Sequence, residues 1–275
     1  MGRHAQLVIG PAGAGKSTYC QLIQTHCAAR ERLARVVNLD PAAESFSYDV
    51  AVDVRDLITV ENVMEATELG PNGGLVYCME YLMENLDWLG DQMDAAGGSD
   101  DEYFLIDCPG QIELFTHIPV VKQVCKALQG WGFKTCAVYL IDALFVDSIP
   151  KYLSGVMIAL ATMVNLEIAH INVLSKCDLA DMAIIEKYLM PDTFHLRGAI
   201  EEMRSSSESR RLITDKYSGL NNAFCELLDS YNMVRFIPLN PSDQDSLEVV
   251  LAHVDNAMQY GEDVEPKEPP TREEE

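Results

Sequence analysis

The segment Gly10-Pro11-Ala12-Gly13-Ala14-Gly15-Lys16-Ser17 fits the pattern G-x-x-x-x-G-K-[ST] and lies between a short apolar run and a helix-like stretch, the context that pattern requires. Glycines let the backbone curl so that several N–H groups point at one anion, and the start of the following helix adds partial positive charge. Lys16 can reach the β- and γ-phosphates of a nucleotide, and the Ser17 hydroxyl can ligate Mg2+. Gly13, Ala14, Gly15, Lys16, Ser17 and Thr18 are the candidate polyphosphate contacts.

Tyr103-Phe104-Leu105-Ile106-Asp107 is an apolar run ending in a carboxylate, where an acid can hold a metal-bound water. It continues as Asp107-Cys108-Pro109-Gly110-Gln111-Ile112-Glu113, which resembles the second switch of regulatory GTPases. In that pattern the Gly110 N–H senses a γ-phosphate and Gln111 handles the attacking water.

Ser175-Lys176-Cys177-Asp178 follows another apolar run and is the candidate base reader. A carboxylate at Asp178 can accept two hydrogen bonds from guanine, at N1–H and the 2-amino group, while Lys176 lays its stem over the ring. Adenine offers a lone pair at N1 and no 2-amino group, so it would lose both bonds. The usual form of this motif has Asn or Thr in the first place; Ser175 keeps a hydroxyl able to brace the phosphate loop. Pro238-Leu239-Asn240 is where a backbone amide would meet guanine O6.

These residues need a scaffold that brings strand ends together. Apolar runs at Ala5 to Ile9, Arg35 to Leu39, Tyr103 to Ile106, Thr135 to Ile141, Ile171 to Leu174 and Val234 to Ile237 are mostly separated by helix-length stretches. That alternation predicts an α/β P-loop NTPase: a doubly wound, mainly parallel sheet with helices on both faces and ligand at the carboxyl ends of the strands. One domain is expected over 1–261. It carries an insertion at about 60–92, where Gly70-Pro71-Asn72-Gly73-Gly74 must turn sharply, and a polar helical insert at about 181–220. Residues 262–275 hold seven acidic residues and three prolines and read as a disordered tail.

Bulk properties narrow the partners. With 20 basic and 43 acidic residues the formal charge is -23, which argues against DNA, RNA and anionic lipid. Eight cysteines without a Cys-x-x-Cys pair, mostly in apolar stretches, read as reduced buried thiols and a cytoplasmic or nuclear location. No leader pattern is expected at the amino end. Leu153 to Leu166, interrupted by Ser154, Thr162 and Asn165, is expected to fall short of a membrane span. The six histidines have no ligand spacing.

Taken together, Asn38-Leu39-Asp40-Pro41-Ala42-Ala43-Glu44, then Gly70-Pro71-Asn72-Gly73-Gly74, then Asp107 to Glu113 follow the order that marks the GPN-loop GTPases. The resemblance runs from about residue 3 to 263. Met79-Glu80-Tyr81, Asn85-Leu86-Asp87-Trp88 and Tyr260-Gly261-Glu262-Asp263 look most like the third eukaryotic paralogue. The resemblance implies GTP or GDP with Mg2+ as ligands, Ser17, Asp40 and Asp107 around the metal, and Lys16, Asp40, Asn72, Gln111 and Glu113 as catalytic residues. It leaves open whether Asp40 or Glu113 is the base. It also implies a homodimer, or a heterodimer with a paralogue, in which Asn72 approaches the partner's γ-phosphate, and a role in RNA polymerase II biogenesis and nuclear import. Two rival readings are an ATP-dependent P-loop enzyme and a scaffold that binds GTP only to dimerise.

Overall fold

The computed structural model describes residues 2–98, 102–147, 149–189, 197–198, 216–230 and 234–262. Its centre is a seven-stranded sheet in the order β3-β2-β4-β1-β5-β6-β7, with every pairing parallel. The strands are β1 (Arg3–Ile9), β2 (Ala34–Asn38), β3 (Val50–Asp53), β4 (Glu102–Asp107), β5 (Phe133–Asp142), β6 (Ala169–Ser175) and β7 (Phe236–Pro238). From β1 the chain runs outward to β2 and β3, returns to β4, and crosses to β5, β6 and β7. The switch in direction opens a crevice at the carboxyl ends beside β1.

Both faces of the sheet are covered, which is why its central strands read as unbroken apolar runs. On one face α1 (Lys16–Ala28) buries Tyr19, Cys20, Ile23 and Cys27, positions spaced to share one helical stripe. The helix Gln244–Ala257 packs on the same face through Leu247, Val250, Leu251 and Val254. The other face takes α2 (Val60–Thr67), α3 (Pro71–Glu84), α4 (Leu86–Ala96), the single turn α5 (Glu113–Thr116), α6 (Val120–Gly130) and α7 (Ile149–Leu166). Each fully buried Ile or Val on these stripes contributes roughly 1.5–3 kcal/mol. Later in the chain come α8 (Met182–Ile185), α9 (Ser218–Ser230) and, as α10, the helix Gln244–Ala257.

Three local readings need correction. Strand β3 gives no apolar run because it is a four-residue edge strand with only Val52 buried. Gly70 to Gly74 is no sharp turn but the opening of α3: Pro71 occupies the first helical turn, Gly70 caps it in an extended conformation, and the Gly74 N–H donates to Gly70 O at 2.8 Å. The chain reverses just before, at Glu68, whose φ of 59° ends α2. The apolar segment Leu153 to Leu166, expected to fall short of a membrane span, belongs to α7, which from Ile149 to Leu166 is by length and composition alone long enough and apolar enough to cross a membrane. In this structure it packs on the sheet, burying Tyr152, Leu153, Val156, Ala159, Leu160 and Leu166. Most of the expected 181–220 insert and the 262–275 tail lie outside the described residues.

Candidate nucleotide site

The loop between β1 and α1 is shaped by its glycines. Gly10 has φ 145°, and a Cβ there would stand 2.2 Å from Leu140 O on β5, so only glycine allows the loop to leave the sheet this way. Gly13 and Gly15 also have positive φ, and the Ala14 N–H donates to Pro11 O at 3.2 Å to close the curl. Lys16, 8% exposed, lies back along the loop with Nζ 3.2 Å from Gly10 O and 3.3 Å from Pro11 O. Burial pushes its ammonium below the ordinary lysine range, and Asp107 and Asp40 pull against that shift. Ser17 and Thr18 are exposed on the first turn of α1.

Asp107 closes β4 next to β1, 3% exposed. Its Oδ2 accepts from Ser17 Oγ at 2.7 Å and from Tyr48 OH at 2.9 Å. Burial raises the carboxyl's pKa, and those two hydroxyl bonds, with Lys16, oppose the rise. No group of three or more His, Cys, Asp or Glu among the described residues could hold a metal by itself. A hydroxyl and a carboxylate at this spacing instead suit a hard ion that completes its shell with phosphate oxygens and water, which is how Mg2+ binds. Asp40 lies partly buried after β2. Its Oδ1 accepts from the Ala42 N–H and its own N–H donates to Asn38 Oδ1, each at 3.0 Å, so it shapes a local turn as well as acting on Lys16 and Asp107 through its charge.

Gly110 abuts the phosphate loop. A Cβ there would lie 2.8 Å from Ala12 Cα and 3.0 Å from Lys16 Nζ, so a side chain would wedge the two segments apart. Next to it the Gln111 Nε2 donates to Asn72 Oδ1 at 3.0 Å, joining the expected switch to the first turn of α3 within one chain. Glu113 is exposed at the start of α5.

On the other side of β1, Ser175 is 4% exposed, with Oγ 2.7 Å from Ala14 O and 3.1 Å from Ile141 O. The hydroxyl therefore ties the end of β6 to the phosphate loop, the brace expected of it. Lys176 has φ 59°, and its Nζ pairs with Asp142 Oδ2 at 2.7 Å. Asp178 is exposed in the turn that follows. Leu239, 1% exposed, holds this turn in place: its O accepts from the Cys177 N–H at 3.2 Å, and its N–H donates to Leu174 O at 2.8 Å. Pro238 ends β7 beside Leu174. The Asn240 N–H, expected near a base, donates to Ser246 Oγ at 3.1 Å.

Three residues that hold the candidate site residues or the chain beside them escaped the sequence reading. Asp142 carried the same signal as Asp107, an apolar run ending in an acid, and is paired in register with Ser175. Tyr48 and Arg55 carried none. Arg55 grips Asp53, donates to Ala43 O at 2.8 Å and lies 4.3 Å from the Phe46 ring centroid, fixing the chain between Asp40 and Tyr48. All eight cysteines are free and buried.

A seven-stranded parallel sheet with a glycine-curled loop and a following helix at its centre defines a P-loop nucleotide-binding fold. The solved structure of a GTPase in apo form from Pyrococcus abyssi superposes with a TM-score of 0.74, at 24% identity, over 92% of this chain and 97% of that one; this likeness concerns the fold alone. A family described as "Conserved hypothetical ATP binding protein" matches residues 8–260. A GPN-loop GTPase 3 from Xenopus tropicalis is 50% identical over 100% of this chain and 94% of its own length. Relatives of the same name from Danio rerio and Dictyostelium discoideum are 49% and 47% identical, each over 98% of this chain and 92% of theirs. The chain belongs to the GPN-loop GTPase family.

Proposed function

We propose that the chain binds GTP with Mg2+ at the loop between β1 and α1, hydrolyses it, and works as a dimeric switch in assembling a larger complex. GTPase chemistry follows from the family. The observation that carries the site reading is the convergence of three groups. Lys16 lies folded on the loop, Ser17 meets the buried Asp107 at 2.7 Å, and Ser175 braces the loop from the side where a base would lie. When bound, Mg2+ would supply charge neutralisation at the phosphates, with Ser17 and Asp107 to hold it and Asp40 near enough to add its charge. The chain's own work is positioning: loop N–H groups and Lys16 on the phosphates, Gly110 sensing the terminal phosphate, and Gln111, Asp40 and Glu113 around the attacking water. Asp178 would read guanine with Lys176 over the base, and Pro238 and Leu239 would line the base side.

The dimer, a homodimer or a heterodimer with a paralogue, rests on the family resemblance, as do Asn72 acting across the interface, RNA polymerase II subunits or assembly factors as clients, and a cytoplasmic location with passage to the nucleus. Nucleic acid and membrane are left out as direct partners on the charge of -23. GTP turnover with and without Mg2+, in wild type and Lys16→Ala, tests the chemistry, with light scattering on GDP- and GTP-loaded protein for the dimer. Turnover independent of Lys16 would refute the site.

A second reading, GTP-dependent dimerisation without significant turnover, is favoured by one contact. The Gln111 amide is occupied by Asn72. Wild type turning over no faster than Gln111→Ala would select it.

A further inference from the structure

The chain between Asp40 and Val50 is fastened to the metal side of the site by Tyr48, to which none of the motifs above assigns a role. Its hydroxyl donates to Asp107 Oδ2 at 2.9 Å, the same oxygen that takes Ser17 Oγ at 2.7 Å. We propose that Tyr48 is a positioning residue for the metal-site carboxylate: it fixes the rotation of Asp107 and couples the 40–49 segment to the ion. The proposal deepens the Mg2+ reading and rests on it.

A carboxylate held by one donor can still swing about its last torsion. Two donors on one oxygen stop that swing, and a bond to a charged acceptor is about twice as strong as a neutral one. Of the two donors, Ser17 is itself expected at the ion, so Tyr48 is the one whose only task is orientation. Groups that orient a ligand without touching the metal typically change metal affinity about 10–100-fold when lost.

Tyr48 is fixed well enough for this role. It is 7% exposed, and its ring lies 5.3 Å from Phe46, which in turn lies under the Arg55 guanidinium at 4.3 Å. On its other side the backbone of Asp49 is clamped by the Gln24 side chain of α1. Gln24 Nε2 donates to Asp49 O and the Asp49 N–H donates to Gln24 Oε1, each at 2.9 Å. A shift of Asp107 is thus transmitted to the 40–49 segment, and a shift of that segment to Asp107.

The test is release of a fluorescent GDP analogue as a function of Mg2+ concentration, in wild type, Tyr48→Phe and Gln24→Ala. Tyr48→Phe keeps the ring and removes only the hydroxyl. Its Mg2+ half-saturation should rise about tenfold, with GDP binding in excess chelator unchanged. Gln24→Ala frees the neighbouring backbone and leaves the hydroxyl in place, so its shift should be smaller and in the same direction. It keeps the test alive if the first variant does not fold. Amide hydrogens near residue 48 should gain protection when Mg2+ joins GDP in wild type, and gain less in Tyr48→Phe. A Mg2+-responsive wild type with Tyr48→Phe within about twofold of it overturns the role of Tyr48 and leaves the metal reading standing. A wild type whose nucleotide release ignores Mg2+ overturns both.

Discussion

Gln111 Nε2 and Asn72 Oδ1 are hydrogen-bonded at 3.0 Å across 39 positions of one chain. The amide expected to hold the attacking water and the one expected to reach a second subunit therefore hold each other. Neither is buried, so the bond is worth about 1 kcal/mol at most and can be exchanged for a contact across an interface. Gln111→Ala should slow single-turnover GTP hydrolysis about 100-fold with GTP affinity within about threefold, the pattern of a group that acts in the transition state. If Asn72 acts across a dimer, inactive Asn72→Ala and inactive Lys16→Ala protein should regain turnover on mixing, because one mixed site has an intact loop and an intact partner Asn72. Failure to regain it would leave Asn72 acting only within its own chain.

Ser175 should prove sufficient where Asn or Thr is usual. Its single O–H donates most directly to Ala14 O at 2.7 Å, with Ile141 O at 3.1 Å, so Ser175→Ala removes one buried donor and should cost about 1–3 kcal/mol in urea unfolding. Because Ala14 belongs to the phosphate loop, GDP affinity should fall about tenfold in the same variant. Ser175→Thr, which keeps the hydroxyl, should lose much less of either.

His170 predicts a pH dependence of stability. Its ring stacks on Tyr139, one nitrogen meets Asn172 Oδ1 at 3.1 Å, and Nδ1 is buried with no hydrogen-bond partner. Burial pushes its pKa down to about 4 from 6.5. Below pH 6.5 the unfolded chain takes up a proton that the folded chain refuses. The folded state therefore loses stability as pH falls from about 6.5 toward 4, by at most about 3 kcal/mol. His4, also lowered by burial, acts in the same direction, so the informative quantity is the difference between wild type and His170→Phe. Urea midpoints at pH 7 and pH 5 should converge less in wild type than in the variant; equal pH slopes would contradict the assignment.

What could be read from sequence was what local spacing encodes. The phosphate loop, Asp107 at the end of β4 and Ser175 at the end of β6 each announce themselves within a few residues, and a parallel sheet brings strand ends to one edge. Tyr48 reaches Asp107 across 59 positions, and nothing near Tyr48 in sequence distinguishes it from a loop residue. Lys176 was expected over a base, yet its partner Asp142 emerged only once β5 and β6 were paired. At Gly70 to Gly74 composition misled: three glycines suggest a turn, but Pro71 favours a first helical turn, and Gly74 lies where a Cβ would stand a tight 3.2 Å from the Val60 side chain of α2. Edge strand β3, with one buried residue, had too little periodicity to register.

The base preference is the central claim, and it matters the more because the matched family is described as ATP binding while the relatives are named GTPases. Competition of GDP and ADP for the purified chain, measured by calorimetry in wild type and Asp178→Ala, tests it directly. The account predicts at least about 100-fold preference for GDP in wild type, reduced about tenfold or more in Asp178→Ala with the protein still folded. Equal binding of the two nucleotides, a preference for ADP, or a preference that survives Asp178→Ala would contradict it.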